Sequence, residues 1–223
     1  RRGGFDVIIG NPPYVSKAKV LKSYRVIRYT TETCPDIYAW CLERVSQLVQ
    51  SRGYTGMIVP LSLAFSSDFA PLRRLLYSRY QTNWFSTYGR IPTALFAHDV
   101  RVRNTIHIGA KQGDGNQYTT RLHRWFEVER ANLFNLISYA RFTPDRWSDR
   151  IPKLNTQALI DAFERMASHG KRLDFAISPV PTHHRLYFKK TAYNWLTFSR
   201  ILPPCYDEHG RPIPHTKFGE VYF

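Results

Sequence analysis

Phe5-Asp6-Val7-Ile8-Ile9-Gly10-Asn11-Pro12-Pro13-Tyr14 is the stretch from which the fold of this chain can be argued. Its apolar and β-branched residues run into Gly10 and a rigid tetrad, which predicts a buried parallel strand that ends abruptly. Open α/β sheets bind their ligands at the carboxyl ends of such strands. We therefore expect Asn11 to Tyr14 to lie at the ligand-binding edge of a sheet.

The side chains of the tetrad suit a planar ligand that carries an amine. The carboxamide oxygen of Asn11 can accept a hydrogen bond from an amino group. Pro12 and Pro13 have fixed φ angles and no N–H, so the carbonyls there are held stiffly as further acceptors. Tyr14 offers a flat face on which a planar ring can stack. An ordinary Asn-Pro turn is the simpler alternative, but a turn requires neither two prolines nor an aromatic residue in this order.

The tetrad resembles the (N/D/S)-P-P-(Y/F/W) loop of amino-methyltransferases. Its Asn-Pro-Pro-Tyr form is similar to that of adenine-specific DNA methyltransferases, particularly the gamma-order enzymes and the fused type IIG restriction-modification proteins. The resemblance implies S-adenosylmethionine as the cofactor and an adenine flipped out of the duplex as the substrate. It assigns catalytic roles to Asn11, Pro12, Pro13 and Tyr14. Asn11 and the Pro12 carbonyl would hold the amino group, and Tyr14 would stack on the base.

Two later segments extend the resemblance. Phe96 matches the aromatic residue that such enzymes place on the opposite face of the flipped base, although a simple core phenylalanine is the alternative. Residues 36–44 resemble the helix in which an aromatic side chain often contacts the cofactor adenine. The resemblance therefore implies that Asn11 and either Trp40 or the neighbouring Cys41 contact the cofactor.

Basic side chains outnumber acidic ones in both halves of the chain. The 223 residues contain 32 Lys and Arg against 17 Asp and Glu, which gives a formal net charge of +15. This charge predicts a polyanionic partner, and double-stranded DNA is the simplest one. An anionic membrane surface is the weaker alternative because no basic amphipathic helix stands out. The residues expected to bind DNA are Lys17, Lys19, Lys22, Arg101, Arg103, Lys189 and Lys190.

The order of the elements predicts an α/β fold. Apolar residues at helical spacing over 36–49 precede a strand over 54–60, and together with the first strand they form a βαβ unit. This order is similar to the second half of the Rossmann-like, S-adenosylmethionine-dependent methyltransferase sheet. We predict that residues 1–117 are the C-terminal half of a methyltransferase catalytic domain. Residues 118–223 are predicted to be an α+β segment with linker helices and the beginning of a target-recognition domain.

The cysteine spacing and the hydropathy of the chain argue against a metal-binding protein and a membrane-spanning protein. Cys34, Cys41 and Cys205 show no C-x-x-C spacing, and His183-His184 lacks further ligands at a suitable spacing, so we expect no metal. No apolar run approaches the about twenty residues of a membrane-spanning helix, and we expect a soluble, cytoplasmic protein. The family's cofactor-binding strand is not present. We therefore expect a piece of a longer protein, missing an N-terminal cofactor-binding half and a C-terminal recognition domain, and inactive alone.

These observations together predict a site-specific DNA adenine N6-methyltransferase of a restriction-modification or phage-defence system. Catalysis would come from orientation and electrostatics, without a strong general base. The alternatives are methylation of RNA, methylation of a protein glutamine, and a catalytically inactive DNA-binding module with a methyltransferase-like fold. The long basic tail favours a nucleic acid substrate, and the intact tetrad argues against loss of activity.

Overall fold

The computed structural model describes residues 3–24, 26–96, 102–170, 176–189, 198–202, 204, 206–207, 209–212 and 218–223. The chain forms two compact units, Arg1–Ser168 and His169–Phe223. Among the described residues, the longest helices are too short and too polar to cross a membrane.

The first unit is built on a six-stranded sheet. Its strands are β1 (Phe5–Gly10), β2 (Val49–Pro60), β3 (Thr82–Tyr88), β4 (Asn104–Ala110), β5 (Gln117–His123) and β6 (Ala140–Phe142). Its helices are α1 (Lys17–Val20), α2 (Tyr38–Leu48), α3 (Ser62–Phe65), α4 (Ala70–Arg79) and α5 (Gln157–Ser168), and 3-10 turns cover Ser67–Phe69, Glu127–Leu136 and Pro144–Trp147. The strand order is β1-β2-β4-β3-β5-β6. Strands β1, β2, β3 and β5 run parallel to one another, while β4 and β6 run antiparallel to them. This mixed α/β sheet confirms the predicted fold class.

Helices α2 and α4 pack on one face of the sheet and form the main core. Leu42 of α2 and Leu72 of α4 are buried there with Met57 and Phe85 of the strands. Arg73 lies in the same layer and is 1% exposed. Its guanidinium donates to the carbonyls of residues 63, 66 and 149 at 2.7 to 2.9 Å. These three acceptors satisfy a buried cation, which explains why the position faces inward.

Strand β1 is an edge strand of the sheet. It pairs in parallel with β2, as predicted. The prediction that it is buried is wrong for one face, because Phe5 is 61% and Ile9 is 81% exposed. Only Ile8, on the other face, packs against the main core. Within the described residues, β1 therefore has one open edge and one bare apolar face.

The compact unit that contains the sheet extends to Ser168, beyond the predicted boundary between residues 117 and 118, and the domain roles assigned to the two parts stay predictions. Strand β5 begins at Gln117 and continues the sheet, and β6 pairs with it. The sequence shows no apolar pattern for this strand, because its buried residues include Thr119 and Thr120. Their hydroxyls are satisfied inside the fold: Thr120 accepts from the Thr87 N–H at 3.1 Å. Hydrogen bonding therefore lets a polar segment occupy the interior of the sheet.

The second unit contains a small antiparallel sheet. Strand β7 (Arg185–Lys189) lies between β8 (Phe198–Ser199) and β9 (Phe218–Tyr222). Tyr187 is buried at 5% exposure, and the Arg185 guanidinium lies 5.3 Å from the centre of its ring.

Candidate active site

The carboxyl ends of the parallel strands meet at one edge of the first unit, which we call the carboxyl edge. Strands β1, β2, β3 and β5 end there at Gly10, Pro60, Tyr88 and His123. Strand β4 runs the other way and begins there, since Asn104 is the partner of both Pro60 and Tyr88. The tetrad directly follows Gly10, so it lies at the carboxyl edge as predicted from the strand.

The tetrad presents polar atoms to the outside of the protein. Asn11 and Pro13 are exposed, and Pro12 is half-buried. A side chain at Gly10 would lie 3.3 Å from the Met57 sulfur, so the chain runs close to β2 just before it turns. Asn11 is therefore accessible to a ligand, directly after the point where β1 lies close to β2.

Tyr14 is anchored to the sheet through its hydroxyl. The hydroxyl donates to the Ile58 carbonyl at 3.0 Å and accepts from the Asn104 side-chain N–H at 3.1 Å. Burial raises the pKa of Tyr14 to about 12, so the phenol stays neutral and its O–H can donate to the Ile58 carbonyl. These two bonds fix the position of the aromatic ring beside Asn11 before any ligand arrives.

Asn104 is the residue that the sequence analysis missed. It is 1% exposed, and its carboxamide oxygen is a buried acceptor for which the described residues supply no donor. The signal in the sequence was a carboxamide at the first position of an otherwise buried strand. Because a strand can begin with any polar residue, that signal alone does not indicate a contact with Tyr14.

Phe96 belongs to a loop that lies at the same edge. The loop is fixed by bonds from the Gly89 N–H to the His123 carbonyl at 2.8 Å and from the Thr93 N–H to the Trp125 carbonyl at 3.2 Å. Phe96 itself is half-buried. The structure thus places Phe96 and Tyr14 in loops at one edge, and stacking of both on a base stays a prediction.

The segment between the tetrad and α2 is held by a buried carboxylate. Glu43 of α2 is 3% exposed. It accepts from the N–H and the hydroxyl of both Thr30 and Thr31, at 2.6 to 3.1 Å. Lys17 adds a bond from its ammonium to the Glu32 carbonyl at 2.9 Å. These bonds keep the basic segment after the tetrad close to the carboxyl edge.

The residues expected at the cofactor differ in accessibility. Trp40 is 4% exposed, and its indole N–H donates to the Thr31 carbonyl at 3.1 Å. Cys41 is half-buried, and burial raises the pKa of its thiol. Of the three expected cofactor residues, Asn11 alone is exposed, and cofactor binding stays a prediction for all three.

The basic residues expected at DNA are only partly described. Lys19 and Lys22 are exposed, and Arg103 is half-buried at the carboxyl edge. Arg101, Lys190 and the side chain of Lys189 lie outside the described residues, as does Cys205. The described part of the chain contains no cluster of His, Cys, Asp and Glu suited to a metal ion. DNA binding by these side chains stays a prediction.

Comparison with known proteins adds independent evidence. Residues 1–91 match the family described as Eco57I restriction-modification methylase. The type II methyltransferase M.PaeR7I of Pseudomonas aeruginosa is 30% identical over 138 residues, which are 60% of this chain and 23% of that protein. The putative type II restriction enzyme and methyltransferase RM.MjaORFECS2P of Methanocaldococcus jannaschii is 34% identical over 76 residues, which are 34% of this chain and 6% of that protein.

A solved structure supports the fold. A nuclease-deletion mutant of the type ISP restriction-modification enzyme LlaGI, in complex with a DNA substrate mimic, superposes with a TM-score of 0.51 at 15% identity, over 70% of this chain and 18% of that chain. This chain therefore spans less than a quarter of the length of each of these relatives. Residues 1–91 are similar to the restriction-modification methylases of the Eco57I family, which confirms the resemblance expected from the sequence.

Proposed function

We propose that this chain forms the substrate-handling part of a DNA methyltransferase in a restriction-modification system, and that the enzyme methylates the N6 amine of a flipped-out adenine. The observation that supports this most is the exposed Asn11 carboxamide next to a Tyr14 ring that two hydrogen bonds hold in place. An enzyme that modifies a base must take it out of the stack and hold it between flat or apolar surfaces. The relatives named above, a type II methyltransferase among them, agree with this class of activity.

The mechanism follows from the acceptors at the tetrad. The Asn11 carboxamide oxygen and the Pro12 carbonyl would each accept a hydrogen bond from one N–H of the adenine amine. Since that nitrogen's lone pair is delocalised into the ring, fixing both hydrogens favours a more tetrahedral nitrogen with an available lone pair. The Tyr14 ring would hold the base plane. Preorganised acceptors of this kind act on the charge that develops in the transition state.

Of the three residues expected at S-adenosylmethionine, Asn11 offers an accessible polar side chain for the cofactor. Asn11 is exposed and carries both a donor and an acceptor, so it could contact the cofactor as well as the base. Trp40 is buried with its indole N–H already bonded, so in this arrangement it supports the chain rather than offering a polar contact. S-adenosylmethionine would supply an electrophilic methyl group when bound.

The test is transfer of a tritiated methyl group to duplex DNA by the intact protein, with the methylated nucleoside identified by mass spectrometry. Asn11→Ala should lower kcat at least about 100-fold, as loss of a transition-state hydrogen bond does elsewhere. DNA affinity should change little, because one neutral side chain is lost. Asn116→Ala is the control for loss of a carboxamide, since Asn116 is a half-buried residue directly before β5, at the opposite edge of the sheet from Asn11. Transfer by Asn11→Ala at the wild-type rate would overturn the proposal, and tight DNA binding without transfer by the wild type would indicate a binding module.

A further inference from the structure

Lys153 is held at the carboxyl edge by its neighbours in the chain. The N–H of Ile151 donates to the Ala64 carbonyl at 2.9 Å, which ties this segment to α3. The Thr119 hydroxyl donates to the carbonyl of Pro152. Ile151 and Pro152 are both buried, so the backbone before Lys153 is fixed. Lys153 therefore lies beside the short helix that follows directly after β2.

The Lys153 side chain is half-buried against an aromatic ring and a second cation. Its ammonium lies 4.9 Å from the centre of the Phe65 ring, which is 47% exposed. The backbone carbonyl of Arg103 accepts from the Leu61 N–H at 2.8 Å, so Arg103 also lies beside α3. Burial, and then the positive charge of Arg103, lowers the pKa of Lys153. A cation held near another cation in a partly desolvated place is stabilised by an anion.

Lys111, at the opposite edge of the sheet, has similar surroundings to Lys153 but differs in its hydrogen bonding. Its ammonium also lies 4.9 Å from the centre of an aromatic ring, that of Tyr80, and its pKa is also lowered, first by burial and then by Arg79. However, Lys111 donates to the Ser46 carbonyl at 2.9 Å. Within the described residues, the Lys153 ammonium contacts the Phe65 ring and has no such carbonyl acceptor. Lys153 therefore keeps N–H donors for an acceptor from outside the fold.

We infer that Lys153, with Arg103 and the Phe65 ring, binds a backbone phosphate of the DNA strand at the carboxyl edge. A phosphodiester is the anion that fits, because the whole chain has a formal net charge of +15 and the exposed tetrad lies at the same edge. The Phe65 ring positions the ammonium, and Arg103 supplies the second positive charge. This inference rests on the proposed function for its substrate but concerns binding and not the methyl transfer.

The test compares Lys153→Met with Lys111→Met in the intact protein. Methionine keeps an unbranched stem on the aromatic ring and removes the charge, so both variants should fold. Fluorescence anisotropy with a labelled duplex, measured over a range of salt concentrations, gives the affinity and its salt dependence. Lys153→Met should weaken binding about tenfold and reduce the salt slope by about 1, while Lys111→Met leaves both unchanged. Lys153→Arg should keep the slope.

The outcomes separate this inference from the proposed function. Wild-type affinity and slope in Lys153→Met would overturn the phosphate contact, whatever Asn11→Ala does to methyl transfer. A weaker salt slope in Lys153→Met, together with unimpaired transfer by Asn11→Ala, would uphold the phosphate contact and reject the catalytic mechanism. Calorimetric titration with S-adenosylmethionine checks the other possible anion. Loss of cofactor affinity with an unchanged DNA slope would assign Lys153 to the cofactor carboxylate and overturn the inference.

Discussion

The two edges of the sheet use their polar side chains differently. At the amino edge, where the parallel strands begin, Asp114 accepts from the Thr82 hydroxyl at 2.8 Å and from the Asn116 N–H at 3.0 Å. Hydrogen bonds from the Asn116 side chain, the Tyr118 hydroxyl, the Asn116 N–H and the Thr82 hydroxyl hold the pKa of Asp114 well below its usual range. At the carboxyl edge, Asn11 is exposed and free to meet a ligand. Polar groups therefore stabilise turns at one edge and are available for chemistry at the other.

This comparison predicts that stability and activity respond to different residues. Substitutions at the amino edge should change the free energy of unfolding and leave methyl transfer by the folded protein unaltered. Substitutions at the carboxyl edge should lower methyl transfer and change the free energy of unfolding less. Three variants test it, from the amino edge, the middle of the sheet and the carboxyl edge.

The largest effect on stability is expected for Gly53→Ala at the amino edge. A Cβ atom at Gly53 would lie 2.5 Å from a Val49 methyl group, 2.7 Å from the Asp6 carbonyl oxygen and 2.9 Å from the Phe5 carbonyl oxygen. Relief of this overlap requires β1 to move away from β2. The free energy of unfolding should fall by about 3 kcal/mol, the upper end of overpacking costs. Urea unfolding followed by tryptophan fluorescence measures it.

Gly56→Ala is the matched control for Gly53→Ala within the same strand. Its nearest neighbour would be a side-chain carbon of Ile9 at 3.9 Å, which is an ordinary contact. Its unfolding free energy should stay within about 0.5 kcal/mol of the wild type. If Gly53→Ala unfolds like Gly56→Ala, the close approach of β1 and β2 at this point is refuted.

A smaller effect is expected at His107, which lies midway along β4. The side chain is 1% exposed, its Nε2 lies 2.7 Å from the Asn83 carboxamide oxygen, and its ring packs between Tyr80 and Phe85. Burial lowers the pKa of His107 to about 3. The imidazole is therefore neutral in the folded protein and charges more readily in the unfolded chain, whose histidine pKa is about 6.5.

The sign of this pH dependence follows from that difference. The contribution of His107 is complete above about pH 6.5 and is lost as the pH falls toward the folded pKa, which amounts to about 2 kcal/mol at about pH 5. His107→Gln cannot be protonated and should lose less stability between about pH 7 and about pH 5. Urea unfolding of both proteins at the two pH values isolates His107, because the carboxylates are common to both. Equal losses in the two proteins would refute the prediction.

Most of the fold could be predicted from the sequence, but the contacts at the site could not. The tetrad follows an apolar strand and a Gly, so local sequence is enough to place it at the carboxyl edge. The anchoring of Tyr14 by Asn104 joins residues 90 positions apart, and no local pattern indicates such a pair. The role of Lys153 could not be predicted for the same reason, since it contacts Phe65 only in the folded chain. Strand β5 was missed because hydroxyl groups, rather than apolar side chains, fill its buried positions.

The smallest change in stability is expected for Tyr14→Phe at the carboxyl edge. This substitution removes the bond to the Ile58 carbonyl and the acceptor for the Asn104 N–H, and it keeps the aromatic ring. The free energy of unfolding should fall by about 1 kcal/mol. Methyl transfer should fall less than about tenfold, because the ring still stacks but is held less firmly.

Tyr14→Ala should lower methyl transfer about 10- to 100-fold, since stacking of one base on an aromatic side chain contributes about 1–3 kcal/mol. Tyr54→Phe on β2, where the side chain is 49% exposed, is the control and should match the wild type in both measurements. Equal losses of transfer in Tyr14→Phe and Tyr14→Ala would show that the hydroxyl, and not the ring face, carries the function of Tyr14.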